Sequence, residues 1–413
     1  MSLNKILKPL SIGALFLFPV ACILPHGGSS VFFSFAAFGL IISWLEWREI
    51  SKAEKQAFLA ILLLAAVPCL FLIHSQDMRD GFKKLERLIR ILLVIPVYVL
   101  LRSLGHGLGG VYLKGVIFCT AVLLAVGIFQ SVNSDLRASG GYNPIVFGCL
   151  GVLTGTVLVG ALLSLGFANR GLASAFVLGI GASGYTIFLS GTRGLLAIVP
   201  VLIVVSLVIS AKRYGRKAAL RLAAFAMLFS VFLYGIAPKI MKRRISTVAY
   251  EMTQGPSDIM KVKSLGSRLR TWQGSLEMIL KTPLFGAGLG DFHLGNRRLI
   301  ARGELHGKAF AGAHNLYLDI LARMGLVGFL MMTSILFLIP GLIFYKTSVQ
   351  YEGEALRFYS LSGLLTVISF AVIGITNVWI WRMPLITIYL ITLAVFLSSI
   401  VSERFRLQKM HAS

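Results

Sequence analysis

The chain has 413 residues, 57% of them hydrophobic and 14% charged, with 40 Lys and Arg against 16 Asp and Glu. A soluble protein of this size cannot hide so much apolar surface, because surface area falls too slowly with size. The formal net charge of +24 would suggest nucleic acid on a soluble protein, but most cations here flank apolar runs as loop anchors. That points to membrane lipids as partners and away from nucleic acid.

Many apolar runs reach the roughly 18–20 residues that a membrane-spanning helix needs, and β-barrel alternation is absent. The expected fold class is therefore an all-α polytopic membrane protein. The first run follows Lys5 and Lys8 and resembles a signal peptide. Ala21-Cys22 is not a small-x-small cleavage site followed by a soluble domain, so the run reads as a retained first span. In chain order, spans are expected at 9–25, 31–47, 57–74, 89–104, 114–132, 144–166, 172–192, 195–211, 219–238, 326–345, 357–377 and 380–401. That makes about twelve helices by the hydropathy rule. Residues 76–90 carry five cations with Leu85, Leu88 and Ile89 interleaved, and read as an amphipathic surface helix.

With the N-terminus in the cytoplasm, the cytoplasmic connections carry more Lys and Arg than the short outer ones. The outer connections hold Arg79, Lys83, Lys84, Arg87, Arg90, Arg137, Arg193 and Arg382. Nine spans precede one long polar loop, which therefore faces outward, the periplasm in an inner-membrane protein. The expected organisation is 1–238 for transmembrane helices 1–9, 239–325 for the loop with amphipathic helices and the catalytic region, and 326–413 for helices 10–12 and a cytoplasmic tail. Within the loop, residues 239–313 hold thirteen Lys and Arg against five Asp and Glu. Segment 267–281 has helical spacing, with Leu269, Trp272, Leu276 and Ile279 on one face. Pro283 and the Gly286/Gly288/Gly290 run end it.

Three places can carry chemistry. Arg193 sits in Ser190-Gly191-Thr192-Arg193-Gly194, a tight hairpin between two spans. An Arg at that depth must be paired, face a watery cavity or snorkel to the interface. Arg268 lies one helical turn before Trp272. Trp272 can fix the helix on the membrane while Arg268 offers its fork to phosphate oxygens or to lipid headgroups. His314 opens a short helix and shares a face with Tyr317, Leu318 and Leu321. Neutral imidazole is a suitable general base, although a His at a helix start is also a common cap or packing residue. Asp319 and Arg323, four apart, are expected to pair.

The four cysteines, Cys22, Cys69, Cys119 and Cys149, lie in apolar runs with no ligand partner at metal spacing and read as buried hydrophobes. The acids of the loop are scattered, so no metal and no cofactor are expected. No acid sits mid-membrane, which argues against a proton-coupled transporter. A passive flippase, or a scaffold in which Arg193, Arg268 and His314 tolerate substitution, stays open as a different class of function.

Together, Ser190-Gly191-Thr192-Arg193-Gly194, Arg268 with Trp272 and Pro283-Leu284-Phe285-Gly286-Ala287-Gly288-Leu289-Gly290, and His314-Asn315-Leu316-Tyr317-Leu318 with Gly325-Leu326-Val327-Gly328 resemble the O-antigen ligase and polymerase superfamily. The resemblance covers roughly 185–330. It implies an inverting glycosyltransferase of the GT-C-like, membrane-embedded type in the bacterial inner membrane. The implied donor is a glycan on undecaprenyl pyrophosphate, and the implied acceptor of a ligase is a sugar hydroxyl of lipid A-core. By position, His314 resembles the catalytic base and Arg193 and Arg268 the pyrophosphate clamps, with Trp272, Asn315 and Tyr317 in support. An O-antigen polymerase or a protein O-oligosaccharyltransferase would share these motifs.

Overall fold

The computed structural model describes residues 3–46, 50–133, 137–165, 170–196, 198–217, 265–305 and 308–412, with scattered positions between 220 and 246. Every regular element among them is helical. In chain order these are α1 (Leu3–Ala21), α2 (Gly27–Glu46), α3 (Lys52–Ile73), α4 (Met78–Ser103), α5 (Leu108–Asn133), α6 (Pro144–Leu165), α7 (Arg170–Ser190), the single turn α8 (Arg193–Leu196) and α9 (Ile198–Tyr214). Then follow α10 (Leu265–Lys281), α11 (Phe292–Ala301), α12 (Leu316–Thr333), a π-turn (Ser334–Leu338), α13 (Ile339–Gln350), α14 (Glu354–Thr376), a 3₁₀ turn (Trp379–Trp381) and α15 (Met383–Ala412).

Nine helical stretches among the described residues are long and apolar enough to cross a membrane. They correspond to nine of the twelve expected spans. The expected span 219–238 lies mostly outside the described residues. The expected span 9–25 is α1, whose apolar part, Lys8–Ala21, is shorter than a full crossing.

The expected span 89–104 and the expected surface helix before it are a single helix, α4, started by Asp77, whose side chain accepts from Asp80 N. The amphipathic pattern of 76–90 is present, with Arg79, Lys83 and Glu86 exposed, but it is not a separate surface element, and two of its cations turn inward. Lys84 and Arg90 are 8% and 2% exposed. Burial is tolerable because each cation has compensation on its own helix and across it. Lys84 Nζ lies 3.8 Å from Asp80 and 5.2 Å over the Trp381 ring. Arg90 pairs with Glu86 at 3.9 Å and stacks 5.0 Å over Phe33.

α15 is the spine of the molecule, packing against α4, α14, α2, α5 and α6. α6 packs on α7 and α14. Small residues allow the closest approaches, as membrane helices require. A Cβ on Gly39 would stand 2.0 Å from the Pro96 carbonyl oxygen, so α2 can lie on α4 only with glycine there.

The segment after α10 locks onto α12 through two glycines. Gly286 has φ +70 and faces the Arg323–Met324 backbone; Gly325 has φ +63 and faces the Leu284–Phe285 backbone. The helix breaks at Gly325, which frees backbone groups that must find new partners. They do so across the lock. Leu326 N donates to Pro283 O at 2.8 Å and Val327 N to Leu284 O at 3.1 Å. In return Ala287 N donates to Ala322 O at 2.9 Å and Gly288 N to Arg323 O at 3.0 Å.

Gly325→Ala forces a side chain into the left-handed region and to 2.3 Å from the Leu284 backbone. The expected loss is about 2–5 kcal/mol from strain and overpacking, read as a lowered Tm of the purified protein. A Gly13→Ala control, where nothing lies within 4 Å, should leave Tm unchanged.

Candidate functional site

The site is organised by one fully buried ion pair. Arg323 Nε donates to Asp319 Oδ2 at 2.9 Å, and both side chains are 0% exposed. The i, i+4 spacing on α12 makes the pair, as expected from sequence. Its remaining bonds reach far along the chain. Arg323 also donates to Leu289 O at 2.6 Å, Ala311 O at 2.9 Å and Asp80 Oδ2 at 3.4 Å. Asp319 accepts from Ala313 N at 3.0 Å and from Trp381 Nε1 at 2.7 Å.

Those last two bonds have a geometric consequence. Ala313 precedes His314, and Trp381 precedes Arg382. By holding both, Asp319 brings the imidazole and a guanidinium from the far end of the chain into one neighbourhood.

His314 stands at φ +53, a left-handed conformation rare outside glycine and tolerated best by Asn, Asp and His. The turn delivers Asn315 in extended conformation as the N-cap of α12, its side chain accepting from Tyr317 N at 2.9 Å and Leu318 N at 3.1 Å. Cap and imidazole are therefore adjacent residues with separate tasks: Asn315 closes the helix, and the His314 ring is left exposed. The surrounding protein still desolvates that ring. Burial first, then the Arg268 and Arg382 charges, push its pKa below the ordinary imidazole value, against an opposing pull from Asp319. Tyr317 points back into the bundle and donates to Ala371 O at 2.7 Å.

Arg193 begins α8 two residues after Gly191, whose φ of +57 makes the hairpin. Arg137, counted from sequence only among the outer-loop cations, braces this turn. Its Nε donates to Ser190 O and its guanidinium to Thr192 Oγ1, both at 2.8 Å. The hairpin and the His314 turn meet at the same end of α14. A Cβ on Gly194 would touch Thr376 at 2.6 Å, while Leu316 and Tyr317 lie against Gly374. Arg193 and His314 thus flank one helix terminus, and Arg268 approaches His314 from α10.

On α10 the face turned into the protein is not the apolar one. Thr271, Gly274, Ser275 and Met278 are buried, whereas Leu276 is 51% exposed. The hydroxyls of Thr271 and Ser275 bond back to Ser267 O and Thr271 O at 2.6 and 2.7 Å, so they enter the interior without an unmet donor. Trp272 is half-buried, flanking that face, one turn beyond Arg268.

Arg382 was counted from sequence as a loop anchor. It is half-buried and donates to Asn377 Oδ1 at 3.3 Å. Nearby on α4, burial and the Arg323 charge push the Lys84 amine down to about 8. The site therefore gathers cations, while its acids are already engaged with protein donors. Such a place suits an anionic ligand whose negative charge grows during reaction.

Residues 175–333 match the family model described as O-Antigen ligase. The match contains Arg193, Arg268 and His314, and it supports a member of the O-antigen ligase/polymerase superfamily. No curated protein matches the chain.

Replacing Arg323 by Met leaves Asp319 buried and uncompensated, with an expected loss of about 3–5 kcal/mol. The double variant Asp319→Leu/Arg323→Met should lose less than the sum of the two single variants. Thermal melts of all three measure this, and strictly additive losses would contradict the pairing.

Proposed function

We propose that this member of the superfamily is an O-antigen ligase: an inverting, metal-independent glycosyltransferase acting at the periplasmic face of the bacterial inner membrane. It moves glycan from undecaprenyl pyrophosphate to a sugar hydroxyl of lipid A-core. The observation that carries this reading is the placement of His314. One carboxylate, Asp319, fixes it beside a cation from the 3₁₀ turn, and Arg268 faces it from α10.

The reaction is a single displacement. His314 accepts the proton of the acceptor hydroxyl as that oxygen attacks the anomeric carbon. The bond from that carbon to the pyrophosphate oxygen breaks on the opposite face, inverting the configuration. Arg193 and Arg268 neutralise the charge that grows on the departing diphosphate, a role guanidinium suits because it is permanently charged and bidentate. Activation by a metal is unnecessary in this scheme, since Asp319, Asp80 and Asp291 are already spoken for by Arg323, Lys84 and the Gln76 and Asp77 amides. Asn315 and Tyr317 hold the turn that aims the ring, and Trp272 seats the helix that carries Arg268.

His314→Ala should lower transfer by about 10²–10⁴ in proteoliposomes, while donor binding survives. A fully active variant would remove His314 from the base role. Arg193→Ala and Arg268→Ala should each lower kcat by about 10²–10³. Acceptors of three kinds separate the family's activities: lipid A-core, free repeat units and pilin. Transfer to repeat units alone would make the protein a polymerase, and to pilin alone a protein transferase.

The pH profile is a further check. Activity needs the neutral imidazole, and the folded-state pKa of His314 is lowered. The acid limb should therefore lie below the ordinary imidazole range. Arg382→Gln removes one of the charges that lower it, so the limb should move to higher pH; a shift to lower pH would contradict the assignment.

A further inference from the structure

Arg87 takes no part in the displacement above and Arg382 enters it only through its charge beside His314, yet the surroundings of both are incomplete. Arg87 lies on α4 three residues beyond Lys84, whose amine sits over the Trp381 ring. This stretch of helix therefore passes directly beside the turn that ends at Arg382. Arg87 is half-buried, and its charge acts against those of Lys84, Arg90 and Arg382. Its Nε is buried with no hydrogen-bond acceptor among the described residues. Asn377, 7% exposed, receives Arg382 on its carbonyl end, while its Nδ2 is likewise buried without an acceptor.

The nearby carboxylates are committed elsewhere. Glu86 pairs with Arg90, Asp80 with Lys84 and Arg323, and Asp319 with Arg323 and Trp381. Each buried donor left without an acceptor is destabilising, and like charges held together add to that cost. One ligand relieves both: an oxyanion with several acceptor oxygens, matched to the guanidinium fork.

We propose that Arg87, Arg382 and Asn377 form a second anion subsite beside His314, which takes a phosphate group carried by a substrate lipid. The assignment to a substrate rests on the glycosyl-transfer reading; the anion site itself does not. The phosphate can belong to the lipid-linked donor or to a phosphorylated sugar of the acceptor, and kinetics separates the two.

The binding test uses full-length protein in detergent carrying Arg193→Ala and Arg268→Ala, so that the expected diphosphate clamps are silent. Inorganic phosphate titrated into this background in a calorimeter should still bind saturably. Adding Arg87→Gln or Arg382→Gln should weaken that binding at least about tenfold, and Arg87→Lys should recover part of it. In the otherwise native enzyme, either Gln change should raise one KM about tenfold with kcat much less affected, as for a contact made equally in ground and transition states. A raised donor KM assigns the donor phosphate. A raised acceptor KM that dephosphorylated acceptor abolishes assigns the acceptor.

Phosphate binding unchanged by both Gln variants overturns the subsite. So does loss of binding to phosphatidylglycerol nanodiscs with both KM values unmoved, which would assign these cations to membrane headgroups. If the native protein transfers no glycan but phosphate binding depends on Arg87 and Arg382, the ligase reading fails and the anion site stands.

Discussion

The buried pair of Asp319 and Arg323 is the constraint on which the site depends. Two charges at 0% exposure are costly to desolvate, and their mutual attraction alone does not repay that cost. The extra hydrogen bonds do. Arg323 finds carbonyls at Leu289 and Ala311, and Asp319 finds donors at Ala313 and Trp381. Each bond satisfies a buried charge and also fixes a piece of backbone that has no regular structure of its own. The loop between α11 and α12, the run before α11 and the turn before α15 are all held by one salt bridge. An apolar substitute could fill the volume, but it could not hold three irregular segments in register.

The glycine lock complements this pin. A helix broken at Gly325 would leave orphan amides near the membrane, where unmet donors cost most. The run from Pro283 to Gly288 supplies the missing partners, and its own glycines allow the two backbones to touch. The same run continues to Asp291, whose carboxylate accepts from Gln76 N and Asp77 N at 2.9 and 2.7 Å. It therefore ties α12 to the start of α4. The cations of α4 and the His314 turn are thus parts of one rigid assembly, although more than two hundred residues separate them.

What was legible in the sequence follows from how local each signal is. Helix class and most span positions come from composition over about twenty residues, and these agree with the structure. The Asp319–Arg323 pair was legible because it lies within one helical turn. The hairpin at Arg193 was legible from its glycines. The burial of Lys84 and Arg90 was not, because it depends on Trp381 and Phe33, which lie on other helices. Nor was the protein-facing side of α10 legible. Hydropathy groups Leu269, Trp272, Leu276 and Ile279 on one face, whereas the burial of Thr271, Gly274 and Ser275 rests on back-bonded hydroxyls and a close helix approach that no local pattern shows. Arg382 was invisible for the same reason: nothing near it in sequence distinguishes it from an interfacial anchor.

The apolar, outward face of α10 bears on how the site meets its membrane. Leu276 and Leu280 are 51% and 74% exposed, and Leu284 and Phe285 continue the exposed apolar surface at 55% and 59%. Below the lock, Leu326 and Leu330 on α12 are also exposed, at 45% and 55%. In water such a surface would be unfavourable by about 25 cal/mol for each Å²; in lipid it is the favoured one. The helix that carries Arg268 therefore sits best with one side against hydrocarbon and its polar, back-bonded side against protein. A guanidinium on the first turns of such a helix, between its lipid-facing and protein-facing sides, is within reach of lipid headgroup phosphates. On the proposed glycosyl-transfer reading, a lipid-linked phosphate would meet Arg268 and His314 without lifting its chain out of the bilayer, as a transfer between two lipid-anchored substrates requires.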